Sequence, residues 1–349
     1  MNKEKLYNKI LGMLVTAGFG DALGAPAEAW SRSEIIDHFG GLITEFSDPG
    51  QNVYVSDNLI GEVTDDTSQM YEIALSIINH IDDYNVNYAA QALVDWSKKY
   101  PKYYPRNAGP TTRYIIEEFE KGKDPIELGK MGGTYDRGFS NGAAMRIAPA
   151  GAIFLDDLDS TIDLTIEITK SSHGTQHGYA GACAIACAIN EALKDNSNTW
   201  SIIQAALYGA RRGEEIGRKE ARIAYGFATE EKILMAIDTV NKYETLENKI
   251  YHLERVVGND GSIQTTAGWV LGIFLATDGD SYDSIIQAAN GGGDTDTHAC
   301  IVGMICGAYN GFNVLNKNQY EQWKKANPSL NMEFIADKLT KIALSKYQL

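Results

Sequence analysis

Apolar residues recur along this chain with the period of an α-helix and almost nowhere with the alternation of a β-strand. Leu6, Ile10 and Leu14 share one face of a first helix in this way. The strand signals are weak and fall at 42–46 and 53–55. Further amphipathic helices are predicted at about 87–100, 110–121, 160–171, 200–217, 229–242, 245–256, 262–276 and 331–346. The pattern therefore predicts an all-α fold.

Two further segments, 179–192 and 299–308, differ from the other predicted helices because they are apolar on nearly every side. Helices of this kind are usually packed all round in the centre of a fold. Neither a Pro/Ser-rich linker nor a repeat of fixed period divides the sequence. We therefore expect residues 1–349 to form one compact domain, in which Ser31 and Glu34 make a capping box at the start of a short second helix.

The net charge and the cysteines indicate which partners the protein can bind and in which cellular compartment it is expected to work. The net charge of −15 argues against a nucleic-acid partner, because such binding relies on basic side chains that neutralise phosphates. The first residues mix charge signs without an apolar signal core, and the apolar run 299–308 is far shorter than the ~20 residues of a membrane span. The four cysteines lie within apolar helical patterns and read as buried free thiols. We expect a cytoplasmic protein with no membrane partner.

Two acidic clusters stand out, at 61–67 and 291–297, each directly before a predicted helix. They contain Asp65 with Asp66 and Asp294 with Asp296, flanked by threonines. Hard cations such as Mg²⁺, Mn²⁺ and Ca²⁺ prefer oxygen ligands of this type. Threonine or aspartate at a helix start also caps free N–H groups, and taken alone the first cluster is better explained as a cap.

The second cluster favours a metal site over a helix cap. It places four oxygen-bearing side chains in succession, at 294–297, after three glycines, whereas a cap needs only one side chain. Four carboxylates brought together without cations would repel one another and raise one another's pKa values. Two divalent cations would cancel the four charges and leave a site open to a diphosphate or a ribose diol. Together the clusters favour a metal site.

Three other segments offer polar groups in predicted loops. The segment 137–146 presents small residues and Asn at the start of a helix, which suits anion binding but is also an ordinary turn. The segment 171–177 contains His173 and His177 before the apolar helix, although a single histidine is more often structural than functional. The segment 20–28 leaves Glu28 in a loop, where a carboxylate is usually just solvated.

These five segments, in this order, resemble the ADP-ribosylglycohydrolase family, which includes the dinitrogenase-reductase-activating glycohydrolase. The likeness extends from the Gly-Asp-Ala-Leu-Gly at 20–24 to the Gly-Asp-Thr-Asp-Thr at 293–297. It implies an all-α fold around a dinuclear centre that binds two divalent cations, Mg²⁺ or Mn²⁺.

The resemblance also implies roles for individual residues. The metal ligands would be Thr64, Asp65, Asp66, Asp294, Asp296 and Thr297. Ser140, Asn141 and Gly142 match the loop that holds the diphosphate, and His173 matches a histidine near the adenosyl group. The catalytic residues would be Glu28, Asp65 and Asp296.

The expected reaction is metal-dependent hydrolysis of the glycosidic bond between ADP-ribose and an acceptor. The acceptor would be a protein side chain, such as arginine or serine, or a small conjugate, and the enzyme is expected to act as a monomer. Three alternatives stay open on the sequence: a hydrolase of free nucleosides or nucleotides, a dinuclear phosphohydrolase that cleaves the diphosphate, and a non-catalytic ADP-ribose-binding protein. Fold analogy alone does not choose among them.

Overall fold

Helices make up the regular secondary structure of the computed structural model, which describes residues 2–50, 52–130, 138–312 and 317–347. Within these ranges the α-helices are α1 (Lys3–Gly24), α2 (Arg32–Phe39), α3 (Asp65–His80), α4 (Val86–Lys99), α5 (Pro110–Phe119), α6 (Pro125–Lys130), α7 (Ala148–Gly151), α8 (Leu158–Thr169), α9 (Gln176–Ala192), α10 (Thr199–Glu220), α11 (Thr229–Lys242), α12 (Leu246–Val256), α13 (Ile263–Ala276), α14 (Ser281–Ala289), α15 (Thr295–Asn310), α16 (Lys317–Ala326) and α17 (Met332–Tyr347). The all-α prediction is confirmed, as is the capping box of Ser31 and Glu34 at the start of α2. Arg137, the first residue of the predicted loop 137–146, lies outside the described residues.

The two weak strand candidates do not form strands. Residues 42–46 and 53–55 run as loop and turn. Their backbone groups bond to side chains instead of to a neighbouring strand: Ile43 donates its N–H to Asn290 Oδ1 at 2.7 Å, and Tyr54 donates to Asn52 Oδ1 at 3.0 Å. Apolar residues in these loops therefore reflect local anchoring and not a sheet.

The centre of the fold is an antiparallel pair formed by α1 and α15, whose backbones touch. A Cβ atom added at Gly20 would lie 2.1 Å from the carbonyl oxygen of Ala299, and one added at Gly24 would lie 2.4 Å from that of Thr295. Only glycine allows so close an approach of the two helices. The contact fixes the C-terminal end of α1 against the N-terminal end of α15, where the second acidic cluster lies.

Replacing Gly20 by alanine is expected to destabilise the protein by about 3 kcal/mol, as overpacking of a close-packed core does. Alanine is otherwise the better helix former, so the contact with the Ala299 carbonyl decides the sign. Gly109→Ala is the matched control, because no atom lies within 4 Å of the Cβ that it would add. Urea unfolding of both variants measures the difference, and a Gly20→Ala protein as stable as the wild type would contradict this packing.

Helix α1 is also the most apolar long helix among the described residues. By length and composition alone the segment Lys3–Ala27, with a mean hydropathy of 1.4 in its most apolar window, would be long enough to cross a membrane. The whole of that window is buried inside the fold. Such burial is typical of a core helix, and one core cluster continues from Leu6 in α1 to Ala343 in α17. The four cysteines are buried free thiols, as the sequence predicts.

Candidate functional site

The two acidic clusters meet in the fold although they are far apart in the sequence. Helices α3 and α15 both begin at one cavity of about 490 Å³, so that both helix N-termini, which carry positive partial charge, face it. The cavity is lined by Glu28, Asp65, Asp66, Asn107, Gly109, Pro110, Thr111, Thr112, Ser140, Asn141, Gly142, Met145, Gly261, Asp294, Asp296 and Thr297. The structure therefore brings the predicted carboxylates together with the predicted loop 140–142.

The aspartates that line the cavity keep much of their hydrogen-bonding capacity open. Asp65 Oδ2 accepts a bond from Gln69 Nε2 at 2.9 Å, and Asp294 Oδ2 accepts one from Asn141 Nδ2 at 2.7 Å. Asp66 Oδ1 is buried and has no hydrogen-bond partner among the described residues. A buried carboxylate oxygen without a partner is rare and needs an explanation. A cation at this position would supply one.

The two threonines of the predicted ligand set occupy different positions. Thr297 lines the cavity. Thr64 is buried as the N-cap of α3, where its hydroxyl accepts a bond from the Asp66 backbone N–H at 3.3 Å and donates to Asp66 Oδ2 at 3.3 Å. The capping role that the sequence suggests for Thr64 is thus present in the structure, next to the carboxylate that it would help to position.

Asp21, which the sequence analysis did not select, anchors the start of α3. Its carboxylate is fully buried and accepts bonds from the backbone N–H of Thr64 and of Thr67, each at 3.0 Å, and from the Thr67 hydroxyl at 2.6 Å. Asp21 lies on α1, so these bonds tie the central helix pair to the helix that carries Asp65 and Asp66. Its signal in the sequence is a lone charged residue among the apolar and small residues of the C-terminal half of α1.

Arg146 is the second residue that sequence reasoning missed. It is 2% exposed, and its Nε donates to the Gly142 carbonyl oxygen at 2.6 Å. Its Nη1 is buried without a hydrogen-bond partner among the described residues. Burial lowers the pKa of Arg146 to about 10, while the nearby Asp65 and Asp66 raise it. A buried cation therefore lies behind the loop 140–142 and acts on the carboxylates of the cavity.

The predicted substrate residues divide between the cavity wall and the layer behind it. Ser140, Asn141 and Gly142 line the cavity. His173 is buried, and its Nε2 lies 2.8 Å from Ser140 Oγ. Burial, with a contribution from the charge of Arg146, holds the pKa of His173 well below its usual range. A neutral His173 therefore orients Ser140 from behind.

Burial and mutual repulsion raise the pKa values of most carboxylic acids at this site. Burial, followed by the charge of Asp21, raises the pKa of Asp65 to about 8. Burial, followed by the charges of Asp294 and Asp65, raises the pKa of Glu28 to about 8. Asp66 and Asp296 are displaced in the same direction, again chiefly by burial. The site therefore binds protons that a cation would have to displace.

Comparison of the sequence with those of known protein families shows to which family the chain belongs. The sequence profile described as ADP-ribosylglycohydrolase matches residues 2–347. The chain belongs to the ADP-ribosylglycohydrolase family. The match spans both acidic clusters, the loop 140–142 and Asp21, so that the family assignment covers every element of the cavity.

Individual relatives align with this chain over most of its length. The Escherichia coli K12 protein YegU is 28% identical over 310 residues, which cover 88% of this chain and 89% of YegU. The mimivirus protein L543, whose name assigns it provisionally to the ADP-ribosyl glycohydrolases, is 26% identical over 95% of this chain and 97% of its own. A solved structure titled "ADP-ribosylglycohydrolase-related protein complex" superposes with a TM-score of 0.71 at 20% identity, covering 97% of this chain and 99% of that one. This last likeness shows that the fold is shared.

In this member of the ADP-ribosylglycohydrolase family the donor set fits a hard divalent cation. The acidic end of the cavity presents carboxylates with the Thr297 hydroxyl, and among the described residues neither a thiol nor an imidazole nitrogen lines the cavity. Within the described residues, no group of three or more His, Cys, Asp or Glu side chains is already drawn together closely enough to hold an ion. Asp66 has a buried oxygen without a hydrogen-bond partner among the described residues, and the pKa of its carboxyl group is raised. Both features are expected when no cation neutralises the charges of such a donor set.

Proposed function

We propose that this chain hydrolyses the glycosidic bond that joins ADP-ribose to an acceptor and releases ADP-ribose. The observation that carries the proposal is one cavity that is lined both by four aspartates from two helix N-termini and by the loop 140–142. The first group suits cations and a ribose diol, and the second suits a diphosphate. The acceptor is a modified protein side chain or a small conjugate, and the enzyme acts in the cytoplasm as a monomer.

The proposal assigns two divalent cations, Mg²⁺ or Mn²⁺, to the acidic end of the cavity. Their ligands would be Thr64, Asp65, Asp66, Asp294, Asp296 and Thr297. When bound, such ions neutralise the carboxylates and supply Lewis-acid activation of water. Asn141, which donates to Asp294 at 2.7 Å, would hold that carboxylate in one orientation.

The other residues of the cavity bind and orient the substrate. A side chain at Gly142 would be crowded, because an added Cβ would lie 3.0 Å from Arg146 Nη2 and 3.3 Å from His173 Cε1. The loop therefore presents a smooth wall on which a diphosphate can lie, with the Ser140 hydroxyl held by His173 as a further polar contact. Positioning of this kind supplies up to roughly 7–11 kcal/mol of a barrier when the reacting atoms are well aligned.

Glu28 is the proposed general base. It is half-buried at the cavity, where burial and the charges of Asp294 and Asp65 raise its pKa to about 8 in the metal-free protein. Cations bound to those aspartates would lower this pKa and leave an ionised carboxylate that can accept a proton near neutral pH. Its backbone is fixed, since Asn52 Nδ2 donates to the Glu28 carbonyl oxygen at 3.0 Å. The Glu28 carboxylate would take the proton of the attacking water, while the carboxylates of Asp65 and Asp296 face the reacting sugar.

Product identity tests the proposal against its rivals. The purified protein is incubated with Mg²⁺ or Mn²⁺ and with arginine-linked, serine-linked and O-acetyl ADP-ribose, and the products are separated by chromatography. Intact ADP-ribose is the expected product from at least one conjugate. AMP with ribose phosphate would instead identify a phosphohydrolase, and turnover of free nucleosides alone would identify a nucleoside hydrolase. Tight binding of ADP-ribose without turnover of any conjugate would identify a binding protein.

The stability of the metal-free protein should depend on pH in a definite direction. The pKa of Asp or Glu is about 4 in an unfolded chain, whereas those of Asp65 and Glu28 are about 8 in the fold. A raised pKa stabilises the fold at low pH, and this contribution is lost as pH rises from about 4 to about 8. In the presence of a chelator, we expect the melting temperature to fall by at least about 5 °C across this window.

Added Mn²⁺ is expected to offset that loss, and its stabilising effect should grow with pH, because the ion competes with protons for the carboxylates. Differential scanning calorimetry at pH 5, 6.5 and 8, with chelator or with Mn²⁺, measures both effects. The matched variant is Asp65→Asn, which should show a weaker dependence of the melting temperature on pH. A stabilisation by Mn²⁺ that does not change with pH would contradict this account.

A further inference from the structure

A circuit of four hydrogen-bonded side chains begins at the acidic wall of the cavity. Asn141 Nδ2 donates to Asp294 Oδ2 at 2.7 Å and to Thr266 Oγ1 at 3.2 Å. Thr266 Oγ1 in turn lies 3.3 Å from Nε2 of His298. His298 lies on α15, and its backbone N–H donates to the Asp294 carbonyl oxygen at 3.0 Å, one turn earlier. The circuit therefore leaves the start of α15 at a carboxylate and returns to the same helix at an imidazole.

Only half of the circuit reaches the cavity. Asn141 and Asp294 line it, whereas Thr266 and His298 lie behind them and are fully buried. Burying a hydroxyl and an imidazole costs free energy that their hydrogen bonds have to offset. An apolar pair of the same shape would carry no such cost. The circuit therefore points to a role at the carboxylate on which it ends.

The chemistry of its neighbours fixes the direction of each bond at Thr266. The Asn141 amide nitrogen can only donate, and the Asp260 carbonyl oxygen, 3.3 Å from Thr266 Oγ1, can only accept. A hydroxyl has one proton and two lone pairs. Once that proton goes to Asp260, the second lone pair can bond to His298 only if Nε2 carries a proton. All three bonds form together only in that tautomer.

The other ring nitrogen of His298 agrees with this tautomer. Nδ1 is buried and has no hydrogen-bond partner among the residues that the structure describes. A proton on Nδ1 would be a buried donor without an acceptor, which folded proteins rarely contain. With the proton on Nε2, the ring bonds to Thr266 and leaves no N–H group unpaired. His298 is therefore a donor in the circuit.

Thr266 holds its hydroxyl in an orientation that is unusual within a helix. A helical threonine ordinarily donates to the carbonyl oxygen four residues earlier, as Thr277 at the C-terminal end of α13 does at 2.9 Å. Thr266 instead donates to Asp260, six residues earlier, at 3.3 Å. Because that bond is long, the further bond from His298 stabilises the orientation in which the hydroxyl faces Asn141.

This orientation determines how Asn141 meets Asp294. Thr266 Oγ1 accepts one amide hydrogen of Asn141, so the plane of the amide is fixed and its second hydrogen points to Asp294 Oδ2. The backbone holds the same residue, because the Asn141 N–H donates to the Gly261 carbonyl oxygen at 2.9 Å. The Asp294 carboxylate is thus oriented from behind by groups that do not reach the cavity.

We propose that His298 is a positioning residue for the cation site. It acts through Thr266 and Asn141, and so holds the Asp294 carboxylate in the orientation that binds a divalent ion. This inference rests on the cation site of the proposed function and adds to that site a residue outside the cavity. Groups that orient a metal ligand from behind change metal affinity by roughly 10–100-fold when they are removed.

Calorimetric titration of chelator-treated protein with Mn²⁺ alone measures this role. We expect the affinity for Mn²⁺ to fall about tenfold in His298→Leu, and equally in Thr266→Val, because each substitution breaks the circuit. The double variant should bind less than about twofold more weakly than either single variant, because both substitutions interrupt one chain of bonds. Thermal unfolding in chelator shows separately how much each variant is destabilised.

Two amide variants of His298 separate its hydrogen bond from its volume. The amide nitrogen of glutamine takes the position of Nε2, so His298→Gln can still donate to Thr266 and should bind Mn²⁺ within about threefold of the wild type. The amide nitrogen of asparagine takes the position of Nδ1 and does not reach Thr266. His298→Asn should therefore bind as weakly as His298→Leu. If His298→Leu fails to fold, the contrast between these two variants decides.

The matched control for Thr266→Val is Thr277→Val, which makes the same change at the other end of α13. Thr277 lies roughly 16 Å from Thr266 by helix rise, and its hydroxyl makes the ordinary bond within its own helical turn. This variant should bind Mn²⁺ with the affinity of the wild type.

The tautomer of His298 is tested without metal. In long-range proton–nitrogen correlation spectra of protein whose histidines carry a nitrogen label, the signals of His298 are those lost in His298→Leu. They should show the proton on Nε2. A proton on Nδ1 alone would overturn the order of donors on which the inference stands.

The Mn²⁺ titrations distinguish failure of the inference from failure of the proposed function. Unchanged affinity in His298→Leu, with lower thermal stability, would show a purely structural role and overturn the inference alone. Effects of His298→Leu and Thr266→Val that multiply in the double variant would also overturn it, because the two residues would then act separately. If the wild type binds no Mn²⁺, the cation site of the proposed function fails, and the inference with it.

Discussion

Asp294→Asn is expected to reduce the rate of ADP-ribose release by about 10²–10³-fold, the range found when a group that stabilises charge at an active site is removed. The amide keeps the shape of the side chain, and its oxygen can still accept the bond from Asn141 Nδ2. What it loses is one negative charge at the N-terminus of α15, where the cavity is to hold cations. Calorimetric titration should therefore show weaker binding of Mn²⁺ as well.

The matched control for this substitution is Asp283→Asn, an exposed aspartate on α14 outside the cavity lining. It makes the same chemical change and should leave both turnover and Mn²⁺ binding at the wild-type level. Near-wild-type turnover of Asp294→Asn at saturating metal would show that Asp294 is not a ligand. The cavity would then have to work through a different set of carboxylates.

Arg146→Met is expected to destabilise the metal-free protein by about 3 kcal/mol, the upper end of the cost of leaving a buried polar group without its donor, because here the donor is charged. Asp65 and Asp66 lie within the field of the guanidinium, and its loss leaves them without a buried cation. The Gly142 carbonyl oxygen also loses its donor at 2.6 Å. Because divalent cations would neutralise the same carboxylates, the destabilisation should be smaller with Mn²⁺ than with a chelator.

Arg146→Lys separates the two contributions of this side chain. Lysine keeps the charge but lacks the planar fork that reaches Gly142, so its stability should lie between those of the wild type and Arg146→Met. Thermal unfolding with and without Mn²⁺ measures all three proteins. Equal stability of Arg146→Met and the wild type in chelator would contradict the role of Arg146 as the cation behind the site.

The sequence is a good guide to the helices and to the two acidic clusters because both leave local patterns. Each long helix shows its period over ten or more residues, and 229–242 is found with the predicted bounds. The acidic clusters also stand next to helix starts, where α3 and α15 begin. Four helices escaped prediction: α6 and α7, because four to six residues are too few to show a period, and also α14 and α16, which have nine and ten residues.

Asp21 and Arg146 could not be found in this way because their roles depend on distant residues. Asp21 bonds to Thr64 and Thr67, which are more than forty positions away. Arg146 acts on Asp65 and Asp66 across the cavity, and nothing near it in the sequence marks it as buried. The same holds for the loop that contains Val53: the sequence gives it a weak strand pattern, and only the bonds of Asn52 to Pro26 and Glu28 show that the segment is an anchored surface loop.

The measurement that tests the central claim most directly is the rate of ADP-ribose release by chelator-treated protein as Mn²⁺ is titrated back. If the aspartates of α3 and α15 hold two catalytic cations, chelator should abolish release. Activity should then return as Mn²⁺ is added and saturate when two ions are bound per chain. Full activity in protein shown to be free of metal would contradict the account, because the acidic cavity would then perform its chemistry without the ions that its carboxylates are proposed to bind.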